Sequence, residues 1–153
     1  MKKNEDLVKI VFPTPQSKYY AQERLWAAEN GDGTYLVKNS PWDVFGLSWK
    51  DLVTAKPDET GDLVFQKVVK RGGHSTFRIR MSKGTSHEDF LELFAELMQL
   101  GCTYEQGYVE GDKSRFMYAL DVKPGYDAEK VWKILTKHQE TECCEVEKGY
   151  LAR

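Results

Sequence analysis

Residues 72–81 read GGHSTFRIRM and divide the chain into two halves with different patterns. Phe77, Ile79 and Met81 alternate with Arg78 and Arg80, which is typical of a half-buried strand whose arginines share one face. Short apolar runs separated by turns precede this stretch. Two helical patterns separated by strands follow it. The stretch is therefore both the junction of the two halves and the first strand of the second half.

The second half, residues 74–153, reads strand, helix, strand, strand, helix, strand. Ser86 and Asp127 are candidate N-caps for the two helices, and each precedes an apolar face with helical spacing. This βαββαβ order is that of a ferredoxin-like unit, in which the first and last strands are antiparallel neighbours. On that topology, the face that carries Arg78 and Arg80 also carries Glu145 and Glu147.

The first half, residues 1–73, contains five short apolar runs that are punctuated by glycine and proline. The second and third runs flank the glycine-rich turn at residues 30–33, which indicates a β-hairpin. Five short strands of this kind favour a small antiparallel β-barrel, because closure protects the edges of the sheet. We therefore predict an α+β protein in which residues 1–73 form a small barrel. It packs with the ferredoxin-like half, residues 74–153, as one compact unit.

The composition narrows the class of protein. The 153 residues are 41% hydrophobic and 12% aromatic, and the formal net charge is −2. A disordered chain would have fewer aromatic residues, and a general nucleic-acid binder would be more basic. The three cysteines show no disulfide or zinc-ligand spacing, so we expect a reducing compartment and no metal or cofactor. The first twelve residues do not resemble a signal peptide, and no segment is long and apolar enough to span a membrane. We expect a cytoplasmic protein.

His74, Ser75 and Thr76 form the one polar cluster that suggests chemistry. A histidine can activate a serine nucleophile, but adjacent residues of an extended chain point to opposite faces. The alternative is that these side chains satisfy buried polar groups at the junction. We therefore treat a small-molecule pocket or active site that uses His74, at the seam of the two halves, as the alternative function. No catalytic residue is assigned.

Aromatic and acidic residues in predicted loops and turns are the better candidates for contact with a partner. Aromatic side chains anchor protein interfaces, and acidic side chains complement a basic partner. The candidates are Tyr19, Tyr20, Trp42, Trp49, Asp58, Glu59, Asp62, Glu110 and Asp112.

Several short motifs between residues 23 and 79 carry a resemblance to a known family. They are Glu23-Arg24-Leu25-Trp26-Ala27, Gly31-Asp32-Gly33-Thr34-Tyr35, Asn39-Ser40-Pro41-Trp42, Gly46-Leu47-Ser48, Asp51-Leu52-Val53 and Gly73-His74-Ser75-Thr76. In this order they resemble the bacterial domain of unknown function DUF4265. Asp43 follows Trp42 where the family usually has an aromatic residue. The resemblance implies a bacterial cytoplasmic protein and brings no established activity.

These observations favour a non-catalytic, protein-binding function. In its concrete form, the chain is a bacterial immunity protein that neutralises a cognate toxin domain by covering the active site of the toxin. A basic nuclease is one candidate for that toxin, because the turn acids would complement a basic surface. Small bacterial proteins of this general kind are sometimes encoded beside a toxin, which is an association rather than a physical argument.

Overall fold

The computed structural model describes residues 6–153, which form two mostly antiparallel sheets and two α-helices. The protein is therefore α+β, as the sequence predicts. In chain order the elements are β1 (Leu7–Pro13), β2 (Gln22–Glu29), β3 (Thr34–Val37), β4 (Leu52–Pro57), β5 (Leu63–Lys70), β6 (Ser75–Met81), α1 (His87–Ala95), a 3₁₀ turn (Met98–Leu100), β7 (Cys102–Val109), β8 (Asp112–Val122), α2 (Ala128–Glu140) and β9 (Cys144–Tyr150).

The first sheet is a closed ring of strands β1 to β5 in sequence order. Consecutive strands pair antiparallel, and a short parallel pairing of β1 with β5 closes the ring. Its inward-facing residues form a core of their own around Ile10, Phe12, Leu25, Val37 and Val53. The alternation of strand residues explains this core, since every second side chain points inward.

The second sheet has the strand order β7-β8-β6-β9, and all neighbouring strands are antiparallel. β6 and β9 are the first and last strands of this half, so their predicted pairing is confirmed. Both helices cover one face of the sheet, where Phe77, Ile79, Phe90, Leu120 and Val131 are buried. The opposite face is left to the first half of the chain.

Local sequence signals set the start of α1 but not its end. Ser86 caps the helix and forms a reciprocal capping box with Asp89, as the sequence predicts. The helix stops at Ala95, although the apolar residues Leu97 and Met98 continue its spacing. Gly101, in the left-handed region with φ 73°, ends the 3₁₀ turn instead. Trp26 of β2 is 42% exposed, because its neighbours Leu25 and Ala27 are the residues that point into the ring.

The seam between the halves is formed by residues 38–51, which connect β3 to β4 and lie against the helix-free face of the second sheet. Gly46 donates a backbone hydrogen bond of 2.8 Å to Gly149 of β9. Arg78 and Arg80, on this face of β6, are only 0% and 5% exposed. The register pairs them with Glu147 and Glu145, as predicted. This face is covered by the first half of the chain, chiefly by residues 38–51, rather than left to solvent.

Within residues 6–153, no helix is long and apolar enough to cross a membrane. Residues 1–5, part of the segment that is predicted not to be a signal peptide, lie outside the described residues.

Candidate interaction surface at the seam

Arg78 ties three segments of the chain together at the centre of the seam. Its Nε donates to Glu147 on β9 at 2.5 Å. Its Nη1 donates to the carbonyl oxygens of Pro41 and Val44 at 3.2 and 2.9 Å, and its guanidinium lies 4.8 Å from the ring centroid of Phe45. The Nη2 atom is buried without a hydrogen-bond partner. The arginine thus holds the loop of the first half on the sheet of the second.

Arg80 lies one pleat further along β6 and closer to the surface. Its guanidinium donates to Glu110 at 3.0 Å and to Glu147 at 3.5 Å, and it lies 4.0 Å from Asp43. The ring centroid of Tyr19 is 4.7 Å from the guanidinium carbon. Arg80 therefore links the β7–β8 turn and the loop before β2 to the same face of the sheet.

Glu23, on β2, fixes the backbone of the seam loop. Its carboxylate accepts backbone hydrogen bonds from Trp42 and Asp43 at 2.8 Å each and from Val44 at 3.1 Å. Burial raises the pKa of Glu23, and the three N–H donors act against that rise. Because the Glu23 carboxylate binds three backbone N–H groups of the loop, Trp42 and Asp43 are held in defined positions.

The loop of residues 14–21 is fastened to this cluster through Ser17. The Ser17 hydroxyl accepts backbone hydrogen bonds from Tyr19 and Tyr20 at 3.1 and 3.2 Å and donates to Asp43 Oδ1 at 3.2 Å. Asp43 is 7% exposed. Burial, followed by the nearby Glu110, raises the pKa of its carboxyl group. Among residues 6–153, no hydrogen bond reaches the second oxygen of Asp43.

A surface cavity of about 250 Å³ opens beside this cluster. Trp42 lies against a glycine of β7, since a Cβ on Gly107 would be 3.1 Å from the indole Cη2 atom. Tyr20 and Tyr108 are half-exposed at 48% and 53%. The lining residues are Tyr20, Trp42, Asp43, Gly107, Tyr108, Glu110 and Met117.

Four of the predicted contact residues meet at this place, although three separate segments of the sequence supply them. Tyr20, Trp42 and Glu110 line the cavity, and Tyr19 lies over Arg80 beside it. Trp49 is not with them, because its ring packs against His74 at a centroid distance of 5.4 Å.

The remaining four predicted acids lie in two turns, and two of them, Asp58 and Asp112, stabilise the turn that holds them. Asp58 accepts hydrogen bonds from the backbone of Thr60 and Asp62, and Asp112 accepts from the backbone of Ser114. Asp62 pairs with Arg24 at 3.2 Å in an exposed contact. Glu59 is exposed in the turn with Asp58. Hydrogen bonds from the hydroxyls of Thr60 and Ser114, together with these backbone bonds, lower the pKa values of Asp58 and Asp112.

His74 is buried at the seam, with an acidic partner that the sequence analysis missed. Its Nδ1 lies 2.8 and 2.9 Å from the two carboxylate oxygens of Asp121 on β8. Burial raises the pKa of Asp121, with His74 and Lys50 acting against that rise. His74 is 4% exposed and Asp121 2%. His74 and Asp121 are arranged like a catalytic base and the acid that orients it. The pair lies inside the seam, however, rather than in an open cleft.

The other two residues of the polar cluster make structural contacts. Ser75 Oγ accepts a hydrogen bond of 2.8 Å from the backbone of Ala152. Thr76 Oγ1 and Ser48 Oγ share a hydrogen bond of 2.7 Å. His74 and Ser75 thus contact different surroundings, although they are adjacent in the sequence. Within residues 6–153, no cluster of His, Cys, Asp and Glu side chains could hold a metal ion.

Sequence reasoning also overlooked Glu23, Asp43, Arg80 and Gly107 as parts of the surface. Gly107 carried a signal, because a glycine inside a strand often marks the close approach of another group. Asp43 carried one too, as a charged residue in a family position that is usually aromatic. Glu23 carried none, since its partners are backbone groups some twenty residues away.

The chain is an α+β protein with a closed ring of strands, a helix-covered sheet and a candidate interaction surface between them. Comparison with known sequences then identifies its family. The sequence matches the family described as "Domain of unknown function (DUF4265)" over residues 23–146. The chain belongs to this family, and the match extends beyond the motifs of residues 23–79 into β9.

A solved structure has a similar architecture. A structure titled "Novel crystal structure of a hypothetical protein from Neisseria gonorrhoeae" superposes with a TM-score of 0.74. It is 16% identical and covers 100% of this chain and 99% of its own. At this identity the likeness extends to the fold alone. Comparison with curated proteins finds no significant match.

Proposed function

We propose that this protein is a non-catalytic protein-binding protein, and more concretely a bacterial immunity protein that covers the active site of a cognate toxin in the cytoplasm. The observation that carries the proposal is the convergence of Tyr20, Trp42 and Glu110 at one concave surface, with Tyr19 beside it over Arg80. Interfaces are rich in tyrosine, tryptophan and arginine at their centres. Here such residues stand on a backbone that Glu23 and Ser17 hold in place, which lowers the entropic cost of binding.

The architecture supports a finer classification, which we propose alongside the function. The ring of β1–β5 is best described as a small β-barrel. The second sheet with its two helices is best described as a ferredoxin-like unit, because its strand order β7-β8-β6-β9 corresponds to that topology. The interaction surface then lies where the two units meet.

The test begins with capture of partners from the host lysate on the immobilised protein, followed by purification of any toxin-like protein found. Isothermal titration calorimetry then measures its affinity, and an activity assay measures its inhibition. We expect a 1:1 complex with loss of toxin activity. Tyr20→Ala should weaken binding by about 30-fold, the effect of losing an interface hot spot of 2 kcal/mol.

Met98→Ala is the matched control, since Met98 is 64% exposed and follows α1 on the opposite face of the sheet. It removes an exposed apolar side chain without touching the proposed surface. Equal losses for Tyr20→Ala and Met98→Ala, or tight binding without inhibition, would contradict the proposal.

A small-molecule pocket that uses His74 is the second candidate, and the observation that favours it is the pairing of His74 with Asp121. A ligand would have to open the seam, because the histidine is 4% exposed. Thermal-shift screening of a metabolite set against the wild type and His74→Gln tests it. A ligand that stabilises only the wild type would favour a pocket at His74. Failure to find any such ligand would count against the pocket.

A further inference from the structure

The cavity beside Trp42 combines aromatic walls with an excess of negative charge. Arg78 and Arg80 contact three carboxylates, those of Asp43, Glu110 and Glu147, and Glu23 lies beside Asp43. Two of these carboxylates, Asp43 and Glu110, line the cavity itself. The formal charge of the cluster is therefore negative. Glu23 is saturated by three backbone donors, and Glu110 is paired with Arg80. Asp43 is the carboxylate of this cluster that retains an unused acceptor.

Asp43 lines the cavity directly, and 93% of its surface is already buried. Of its two oxygens, Oδ1 receives the Ser17 hydroxyl and lies 4.0 Å from Arg80. The described residues offer no hydrogen bond to Oδ2. Oδ2 is not among the buried atoms that lack a partner, so solvent in the cavity reaches it. A cation or donor that entered the cavity could replace that water with a charge-assisted hydrogen bond.

We propose that this cavity binds the guanidinium of an arginine side chain that the protein partner inserts, a proposal that rests on the proposed function and names the chemistry of the partner. A guanidinium is flat, weakly hydrated and suited both to aromatic faces and to bidentate bonds with a carboxylate. The cavity of about 250 Å³ holds roughly eight waters, so it takes the end of one side chain rather than a large ligand.

The protein already uses the same pairing immediately beside the cavity. Arg80 lies over the ring of Tyr19 and donates to Glu110. A partner arginine would repeat this arrangement one step outward, against Tyr20 and Trp42 and with Asp43 as the acceptor. Half-exposed tyrosines stand at the mouth of the cavity, so the ligand reaches it from solvent without a rearrangement of the fold.

The experiment is an NMR titration of the ¹⁵N-labelled full chain with the tripeptide Gly-Arg-Gly, blocked at both ends. Blocked Gly-citrulline-Gly, in which the side chain is neutral, and Gly-Lys-Gly are the matched probes. We expect saturable shifts of the Trp42 indole N–H and the Tyr20 amide, with a dissociation constant on the order of 1 mM, which corresponds to a weak single-side-chain contact. Citrulline should bind at least about tenfold more weakly, because it lacks the charge that strengthens the hydrogen bond.

Two variants locate the site. Asp43→Asn should weaken binding of the arginine peptide by about tenfold or more. Because Asp43 also contacts Ser17, Tyr20→Ala serves as a second variant at an exposed position. It should weaken binding too, while Met98→Ala should bind as the wild type does. The proposal is overturned by the absence of saturable shifts, by equal binding of the citrulline peptide, by a lysine peptide that binds as tightly, or by unchanged binding in both cavity variants.

These outcomes separate the cavity from the function. If the arginine peptide does not bind but a toxin complex forms and is lost in Tyr20→Ala, the arginine site is wrong and the protein-binding function stands. If the peptide binds at Asp43 and purified toxin partners do not, the site stands and the immunity function is wrong. Free arginine that binds far more tightly than the peptide would identify a small-molecule site. It would overturn the proposal that the arginine belongs to a protein partner.

Discussion

Replacement of Arg78 by methionine tests whether the seam is held by its buried charges. Removal of one member of a buried ion pair costs about 3–5 kcal/mol, because the other charge stays behind without a partner. Here the side chain of Glu147 is 28% exposed and water can reach it, while the unpaired Nη2 of Arg78 is removed. Both effects favour the lower end of this range of destabilisation, so we expect Arg78→Met to lower the free energy of unfolding by about 3 kcal/mol.

Urea denaturation followed by circular dichroism measures this loss, and thermal unfolding should show a midpoint lower by about 6–12 °C. Arg24→Ala is the matched control, because the Arg24–Asp62 pair is 3.2 Å long but exposed. It should cost less than about 1 kcal/mol. An Arg78→Met protein as stable as the wild type would refute the reasoning.

Two further predictions concern the reactivity of the cysteine thiols and the position of the Trp42 indole. Burial raises the pKa values of Cys102 and Cys144 to about 12, so at pH 8 both stay protonated and should not react with a thiol reagent in the native state. Cys143, which is partly exposed, should react first, with all three reacting in denaturant; native labelling of Cys102 at the same rate would contradict this. Gly107→Val should displace Trp42, shift its fluorescence and cost about 1–3 kcal/mol by overpacking, whereas an unchanged spectrum would show that the indole lies elsewhere.

The fold was accessible from the sequence because its signals are local. The alternation of Phe77, Ile79 and Met81, and the caps at Ser86 and Asp127, act over a few residues and mark elements directly. The predicted pairing of β6 with β9 followed from the order of the elements alone.

The composition of the seam was not accessible, because its contacts join residues far apart in the chain. Arg78 was expected on a sheet face, but only the fold shows that residues 41–45 cover it. The partner of His74 was within reach, since the pairing of β6 with β8 brings Asp121 opposite Thr76, next to the histidine. That inference needed the register of two strands that are more than thirty residues apart.

The distribution of charge at the seam argues for recognition as well as stability. Two halves with separate apolar cores could be joined by apolar side chains, and buried ion pairs are often no more stable than such a replacement. The chain instead buries Arg78, Arg80 and Asp43 together, and it leaves one oxygen of Asp43 at a cavity lined by Tyr20 and Trp42. Departures from the most stable arrangement tend to concentrate at functional sites. This supports the proposal that a partner binds at this cavity rather than at the buried His74.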